Sequence, residues 1–393
     1  IITRRPHVFD GLLDPAIYRD IPTTAYLADR LDAFLDDRFG YEEKLDRLRI
    51  FSAEQKFLIG VRMLTGALAP VAVGNSLSDL ADLLLDRTFA LVIAEFSAKH
   101  GNVSGGEAAL LGLGKLGSRE LTAGSDIDLI LLYDHPEDAG ESDGDKPLYP
   151  SHYYSRLTQR LIAAVSAPTA EGVLYELDLR LRPSGNKGPV ATKLSAFKRY
   201  QAEDAWTWEH MAMTRGRVVS GDKSLSERIT RVLDDLIAKP RDAAKTGADI
   251  FEMRGVIEKE KPAKSSFDFK LMPGGLIDLE FIAQGAALNG AFVGERSTST
   301  EAILRALNDK RLSLAQRDVL VEAHRLFSAM TQILRLCLNG DPEGEELEET
   351  LLDIMRRKAE LPDGKSLKAH VQDTAQQVRE IFNLLYRKPP AVA

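Results

Sequence analysis

G-S-R-E-L-T-A-G-S-D-I-D, residues 117–128, decides the fold, because short apolar runs flank it on both sides. Before it, Ala108–Leu113 (A-A-L-L-G-L) is the length of one buried strand, and after it Ile127–Tyr133 (I-D-L-I-L-L-Y) is a second. Asp126 and Asp128 stand two positions apart at the entry to the second strand, where residues i and i+2 share a face. Two like charges on one face of an apolar strand are costly without a cation between them. Gly112-x-Gly114-x-x-Gly117 formally matches a dinucleotide fingerprint. A dinucleotide fold, however, needs a helix and its turns before the next strand, and only about nine residues are free here. What survives is a phosphate use of the turn: small residues at Gly117 and Ser118 let backbone N–H groups approach a triphosphate.

Further along, Gly172–Arg182 (G-V-L-Y-E-L-D-L-R-L-R) alternates with period two. That pattern predicts a strand with Asp178, Arg180 and Arg182 on one face. Three carboxylates, Asp126, Asp128 and Asp178, are what two divalent ions need in phosphoryl-type transfer, and their hard oxygens suit Mg²⁺. Two readings of the arginines stay open: neutralising phosphate charge, or pairing with Asp178 or with loop acids. Lys115 is a weaker phosphate candidate, with a solvated surface lysine as its alternative. The acidic stretch Asp134–Pro150 reads as a solvated loop rather than a metal site.

The rest of the chain is helical in pattern. Ala25–Arg38, Glu42–Thr65 and Ser76–His100 are amphipathic, and Ser151–Val165 carries a stripe of Tyr153, Leu157, Leu161 and Val165. After about Ser224, helices are expected over Ile250–Lys261, Gly275–Leu288, Ser299–Asn308, Leu314–Leu338, Gly344–Lys358 and Lys365–Leu385. The run Glu343–Glu349 suits the first turns of an exposed helix. Trp206 and Trp208 fall on a helix without sharing a face, so one is expected in the core. His210 reads as a hydrogen-bonded structural histidine, and Asp278 and Glu280 as structural carboxylates near a helix start.

Composition bounds the rest. The 393 residues include 44% hydrophobic types, ample for folded cores, and the net charge of −8 offers no basic nucleic-acid surface. The single cysteine, Cys337, permits no intrachain disulfide, fits a reducing cytoplasm and is expected in the core. No apolar stretch approaches the ~20 residues of a membrane span, and the start, I-I-T-R-R-P-H, has no signal-peptide character. The absence of an initiator Met suggests a piece of a longer protein.

Gly-Ser, seven residues, then Asp-Ile-Asp, with a third Asp on a later strand, resembles the nucleotidyltransferase superfamily. More narrowly, residues 112–134 (G-L-G-K-L-G-S-R-E-L-T-A-G-S-D-I-D-L-I-L-L-Y-D), 174–185 (L-Y-E-L-D-L-R-L-R-P-S-G), 203–222 and 273–281 (P-G-G-L-I-D-L-E-F) resemble the glutamine synthetase adenylyltransferase family. The resemblance extends over almost the whole chain, from D-P-A-I-Y (14–18) on. Many members have Gly-Gly where this chain has Gly117-Ser118.

The resemblance implies an α+β fold, mostly α: a small mixed-sheet, polymerase-beta-like core flanked by N-terminal helices and a C-terminal helical bundle. The domains would be 1–104, 105–222 and 223–393. Members carry two related halves in tandem, one adenylylating a tyrosine of glutamine synthetase and the other removing AMP by phosphorolysis. W-T-W-E-H (206–210) resembles the adenylylating half. The implied site has Asp126, Asp128 and Asp178 as catalytic and metal-binding residues for two Mg²⁺, with ATP over Gly117, Ser118, Arg180 and Arg182. The implied partners are glutamine synthetase as substrate, glutamine and the PII signal protein as regulators, and the tandem half. A degenerate nucleotide or PII sensor is the non-enzyme alternative.

Overall fold

Strand β1 (Glu107–Gly112) is buried from Ala108 on, because it has a neighbour on each edge. It pairs antiparallel with β2 (Ile127–Asp134) on one side and with β5 (Arg217–Gly221) on the other. The outer edge of β2 takes two short parallel partners, β3 (Leu177–Asp178) at its start and β4 (Ala191–Lys193) further along. The result is a five-stranded mixed sheet, in a chain that is otherwise mostly helical. The computed structural model describes residues 22–294, 296–338, 347–359, 361 and 364–387. The segment 14–18 and residues 343–346 of the acidic run lie outside them.

The chain divides into two compact units. The first runs to Ala205 and resumes over Gly216–Leu233; the second takes Trp206–Arg215 and the chain from Asp234 on. In the first unit, helices α1 (Thr24–Leu35), α2 (Tyr41–Thr65) and α3 (Pro70–His100) precede the sheet. Proline opens α3, where its missing N–H costs nothing, and Gly101 ends it at φ 67. Helix α3 is the spine: α1, α2, β5 and α5 (Pro150–Ser166) all pack on it. The acidic loop after β2 is largely exposed, yet it is bound to the end of that helix. Asn102 N donates to Asp143 Oδ1 (2.6 Å), Gly144 N to His100 O (3.2 Å) and Lys146 N to Lys99 O (3.1 Å). Its role is to satisfy the helix's terminal carbonyls.

The second unit is a helical bundle built on Leu276–Leu288, which is apolar nearly all round and therefore central. Asp278 is the exception. It is fully buried, and it accepts from Arg254 Nε, from Arg379 Nη1 (3.1 Å) and from the Gly274 amide (2.6 Å). Glu280 pairs with Arg215 at 2.9 Å, so both carboxylates are structural. Two expectations fail here. Trp206 is 71% exposed and Trp208 38%, because Trp206 caps rather than enters the helix Thr207–Met213, so neither is a core residue. Cys337 is exposed, being the last residue of its helix, beyond the buried stretch that ends at Leu334. Among the described residues, no helix is long and apolar enough to cross a membrane.

Candidate active site

Parallel pairing of β2 with β3 sets Ile127 opposite Leu177 and Asp128 opposite Asp178. Registered residues on neighbouring strands lie about 4.8 Å apart and point to the same face, so two carboxylates meet side by side. The pairing begins one residue earlier, where Ile127 N donates to Glu176 O (2.8 Å). Asp128 is also fixed from its other flank, where its carbonyl accepts from Leu113 N at 2.9 Å. Asp126 lies just before β2 begins and is exposed, while Asp128 is half-buried. The period-two argument for Asp126 therefore holds only to the strand's edge.

The expected strand over Gly172–Arg182 shrinks to Leu177–Asp178. Leu174 and Tyr175 are both buried while Val173 is exposed, so the one-sided alternation that the sequence suggests is not kept. After Asp178 the chain turns: Arg180 N donates to Asp178 Oδ1 (2.8 Å), Arg182 N to Leu179 O (3.2 Å) and Gly185 N to Arg182 O (2.8 Å). The two arginines part company as a result. Arg182 is 7% exposed and spends Nη1 on Leu179 O (2.8 Å). Arg180 folds back on Asp178, with Nε 3.0 Å from Oδ1 and 2.8 Å from Oδ2, and Nη2 also on Oδ2.

That pairing sets the electrostatics. Hydrogen bonds from the Arg180 side chain hold the Asp178 carboxyl below its ordinary range, against the opposing effect of burial. Arg180 is in turn pushed up, first by Asp178 and further by the fields of Asp128 and Asp126. Its hydrogen bonds go to Asp178, and Asp128 and Asp126 act on it only through space. Among the described residues, no three His, Cys, Asp or Glu side chains converge as metal ligands. The chemistry of the donor set nonetheless fits a hard divalent cation, with adjacent aspartate oxygens and a strong need for positive charge.

Gly117 and Ser118 end a short helix, α4 (Gly114–Ser118), instead of forming an open turn. Gly117 N donates to Leu113 O (2.9 Å), and Ser118, 1% exposed, bonds Glu120 Oε2 through its hydroxyl (2.9 Å). Their contribution is to close the helix compactly. Lys115 and His210 are half-buried. Three features escaped the sequence reading. Gly114 has φ +52, and a Cβ there would collide with the Asp128 carboxylate, 2.9 Å from its Cγ. Its glycine signal was visible but pointed to a dinucleotide. Arg119, in the left-handed region at φ 62, pairs with Asp79 and Asp82 on α3. Arg217 ties Asp82 (2.8 Å) to Leu116 O (3.0 Å). These ion pairs lock α4 to α3, and no local spacing announces them.

Known proteins resemble this chain closely. The profile of the family described as glutamate-ammonia ligase adenylyltransferase matches residues 1–232. A protein of Mesorhizobium japonicum named bifunctional glutamine synthetase adenylyltransferase/adenylyl-removing enzyme is 57% identical over 98% of this chain and 39% of its own length. Proteins of the same name from Brucella suis (55% identical, 98% of this chain) and Rhodopseudomonas palustris (42%, 98%) show the same coverage of 39%. The chain thus spans about two fifths of the length of the relatives it matches.

Proposed function

The chain belongs to the glutamate-ammonia ligase adenylyltransferase family, and from that premise we propose that it moves AMP from ATP to a tyrosine hydroxyl of glutamine synthetase, releasing pyrophosphate. The observation that carries this reading is the register of Asp128 with Asp178, which gathers carboxylate at one edge of an apolar sheet. Asp126, Asp128 and Asp178 would hold Mg²⁺, which supplies charge neutralisation for the triphosphate and Lewis-acid activation at the α-phosphorus.

The chain's own residues do the rest. Asp178, which Arg180 holds by hydrogen bonds, would orient the incoming phenol and take up its proton. A free tyrosine titrates near 10, so this help is needed at neutral pH. Arg180 is 69% exposed at its side chain and therefore able to follow phosphate charge. Arg182 is buried behind it and shapes the turn. Gly117 and Ser118 set the floor on which the nucleotide rests. Glutamine and the PII signal protein belong to the same proposal as regulators, and the tandem half as an intramolecular partner.

Transfer and removal of AMP both act at the same phosphorus but are different reactions, transfer releasing pyrophosphate from ATP and removal using phosphate to give ADP, and W-T-W-E-H (206–210) favours transfer by resemblance. A paired assay separates them. With α-labelled ATP, Mg²⁺ and unmodified glutamine synthetase, label is expected on tyrosine. With adenylylated glutamine synthetase and phosphate, no ADP is expected. Label absent in the first and ADP formed in the second would assign removal instead.

A further inference from the structure

We propose that Arg119 is a positioning residue for AMP transfer: clamped with Arg217 on Asp79 and Asp82 of α3, it holds α4 where Gly114 fixes the Asp128 carboxylate. This rests on the reading of Asp128 as a residue of the transfer site, and says what keeps its carboxylate in place.

Arg119 stands where glycine ordinarily does. Helix α4 ends in a Schellman motif, in which Arg119 N donates to Leu116 O (3.2 Å) and Glu120 N to Lys115 O (2.8 Å). Arg119 is the left-handed residue of that motif, at φ 62 and ψ 34. A Cβ is strained there, and such a residue persists only where its surroundings hold it.

Its side chain supplies the hold. Arg119 Nη2 pairs with Asp79, and Nη1 with Asp82 (3.6 Å). Arg217, from β5, meets the same Asp82 at 2.8 Å and donates to Leu116 O (3.0 Å). Two cations and two carboxylates thus grip the end of α4. Gly74 on α3 lets the backbones close in, since a Cβ there would lie 3.1 Å from Glu120 Cα and 3.2 Å from Arg119 O.

The opposite end of α4 meets the site. Leu113 N, just before it, donates to Asp128 O (2.9 Å), and a Cβ on Gly114 would overlap the Asp128 carboxylate. Five residues make little more than one turn, which has no cooperative stability of its own, so α4 lies where its two ends are tied. Releasing the clamp lets α4 drift from β2, and Asp128 gains orientations that Gly114 now denies it.

The test follows α-labelled ATP onto tyrosine of glutamine synthetase, with rates taken per folded molecule by circular dichroism. Arg119→Gly relieves the strained backbone while removing the clamp. Its urea midpoint is expected to stay near that of wild type while kcat falls about tenfold, with KM for glutamine synthetase unchanged. Arg119→Lys, which keeps the charge at the same strained position, is expected to recover most of the rate. Asp79→Asn removes the partner from the α3 side and is expected to show the same fall. The double variant is expected to fall no further, because the two residues act as one clamp. Asp79 is 33% exposed at its side chain, so its variant does not disturb a core and the test does not depend on Arg119→Gly folding. Wild-type kcat in folded Arg119→Gly or in Asp79→Asn overturns the inference, as do effects that multiply in the double variant. Asp128→Asn separates the two readings. Loss of transfer in Asp128→Asn alone leaves the site standing without the clamp; transfer by Asp128→Asn at the wild-type rate removes the site reading, and the inference with it.

Discussion

Gly114 and Asp128 touch: the bare Cα of the first leaves room for the carboxylate of the second, and any Cβ would overlap it. The contact joins the end of one strand to the start of the next and fixes which way Asp128 faces. Gly114→Ala should therefore fold, at a cost of about 1 kcal/mol for an alanine at positive φ. Its effect on function should be far larger, because Asp128 must rotate away. A drop in AMP transfer of about 100-fold or more, against a small shift in urea midpoint, is the expected pair of results.

Asp126→Asn isolates the opposite case. The side chain is exposed and stands outside the strand, so stability should change by less than about 0.5 kcal/mol. Mg²⁺ affinity in the presence of ATP should fall at least about tenfold by calorimetry, since a carboxylate ligand is replaced by a neutral amide.

In the helical unit, Asp278→Asn removes the charge facing Arg254 and Arg379. Arg254 is 1% exposed, so its charge would stay buried without its main partner, a loss of about 3 kcal/mol. Both tryptophans, Trp206 and Trp208, belong to this unit. Their fluorescence should therefore report the lowered urea midpoint directly.

Lys56 makes the pH prediction. Burial pushes its ammonium down to about 8, although it donates to Leu174 O (3.3 Å) and sits 3.8 Å from the Tyr175 ring centroid. The unfolded chain then binds a proton that the folded chain lacks, so stability rises as pH goes from about 8 toward 10. Above that, burial has raised Tyr175, and its ionisation works the other way. Lys56→Met should flatten the rise between pH 8 and 10 and gain about 1 kcal/mol at pH 7, the cation–π contact offsetting part of the burial cost. Equal slopes for wild type and variant, followed by circular dichroism in urea, would reject the assignment.

Most of the architecture could be read from the chain. Most of the long helices follow apolar periodicity, and the two buried strands either side of Gly117–Asp128 stand where unbroken apolar runs put them. Asp128 and Asp178 were conspicuous as carboxylates in apolar surroundings, and the structure sets them in register. What the sequence hid was tertiary. Alternation over Gly172–Arg182 came from a packed, turning segment whose hydrophobic residues face different neighbours, so it misplaced Arg182. The helix at Gly114–Ser118 is too short for any periodic signal. Ion pairs such as Arg119 with Asp79 join residues 40 positions apart, beyond any local pattern.

The central claim is that Asp178, in register with Asp128, belongs to the machinery that moves AMP. The direct measurement is the rate at which α-labelled ATP labels tyrosine on glutamine synthetase, for wild type against Asp178→Asn, with folding confirmed by circular dichroism. The account predicts that the variant loses at least about 100-fold in rate while staying folded. Labelling by Asp178→Asn at the wild-type rate would contradict it.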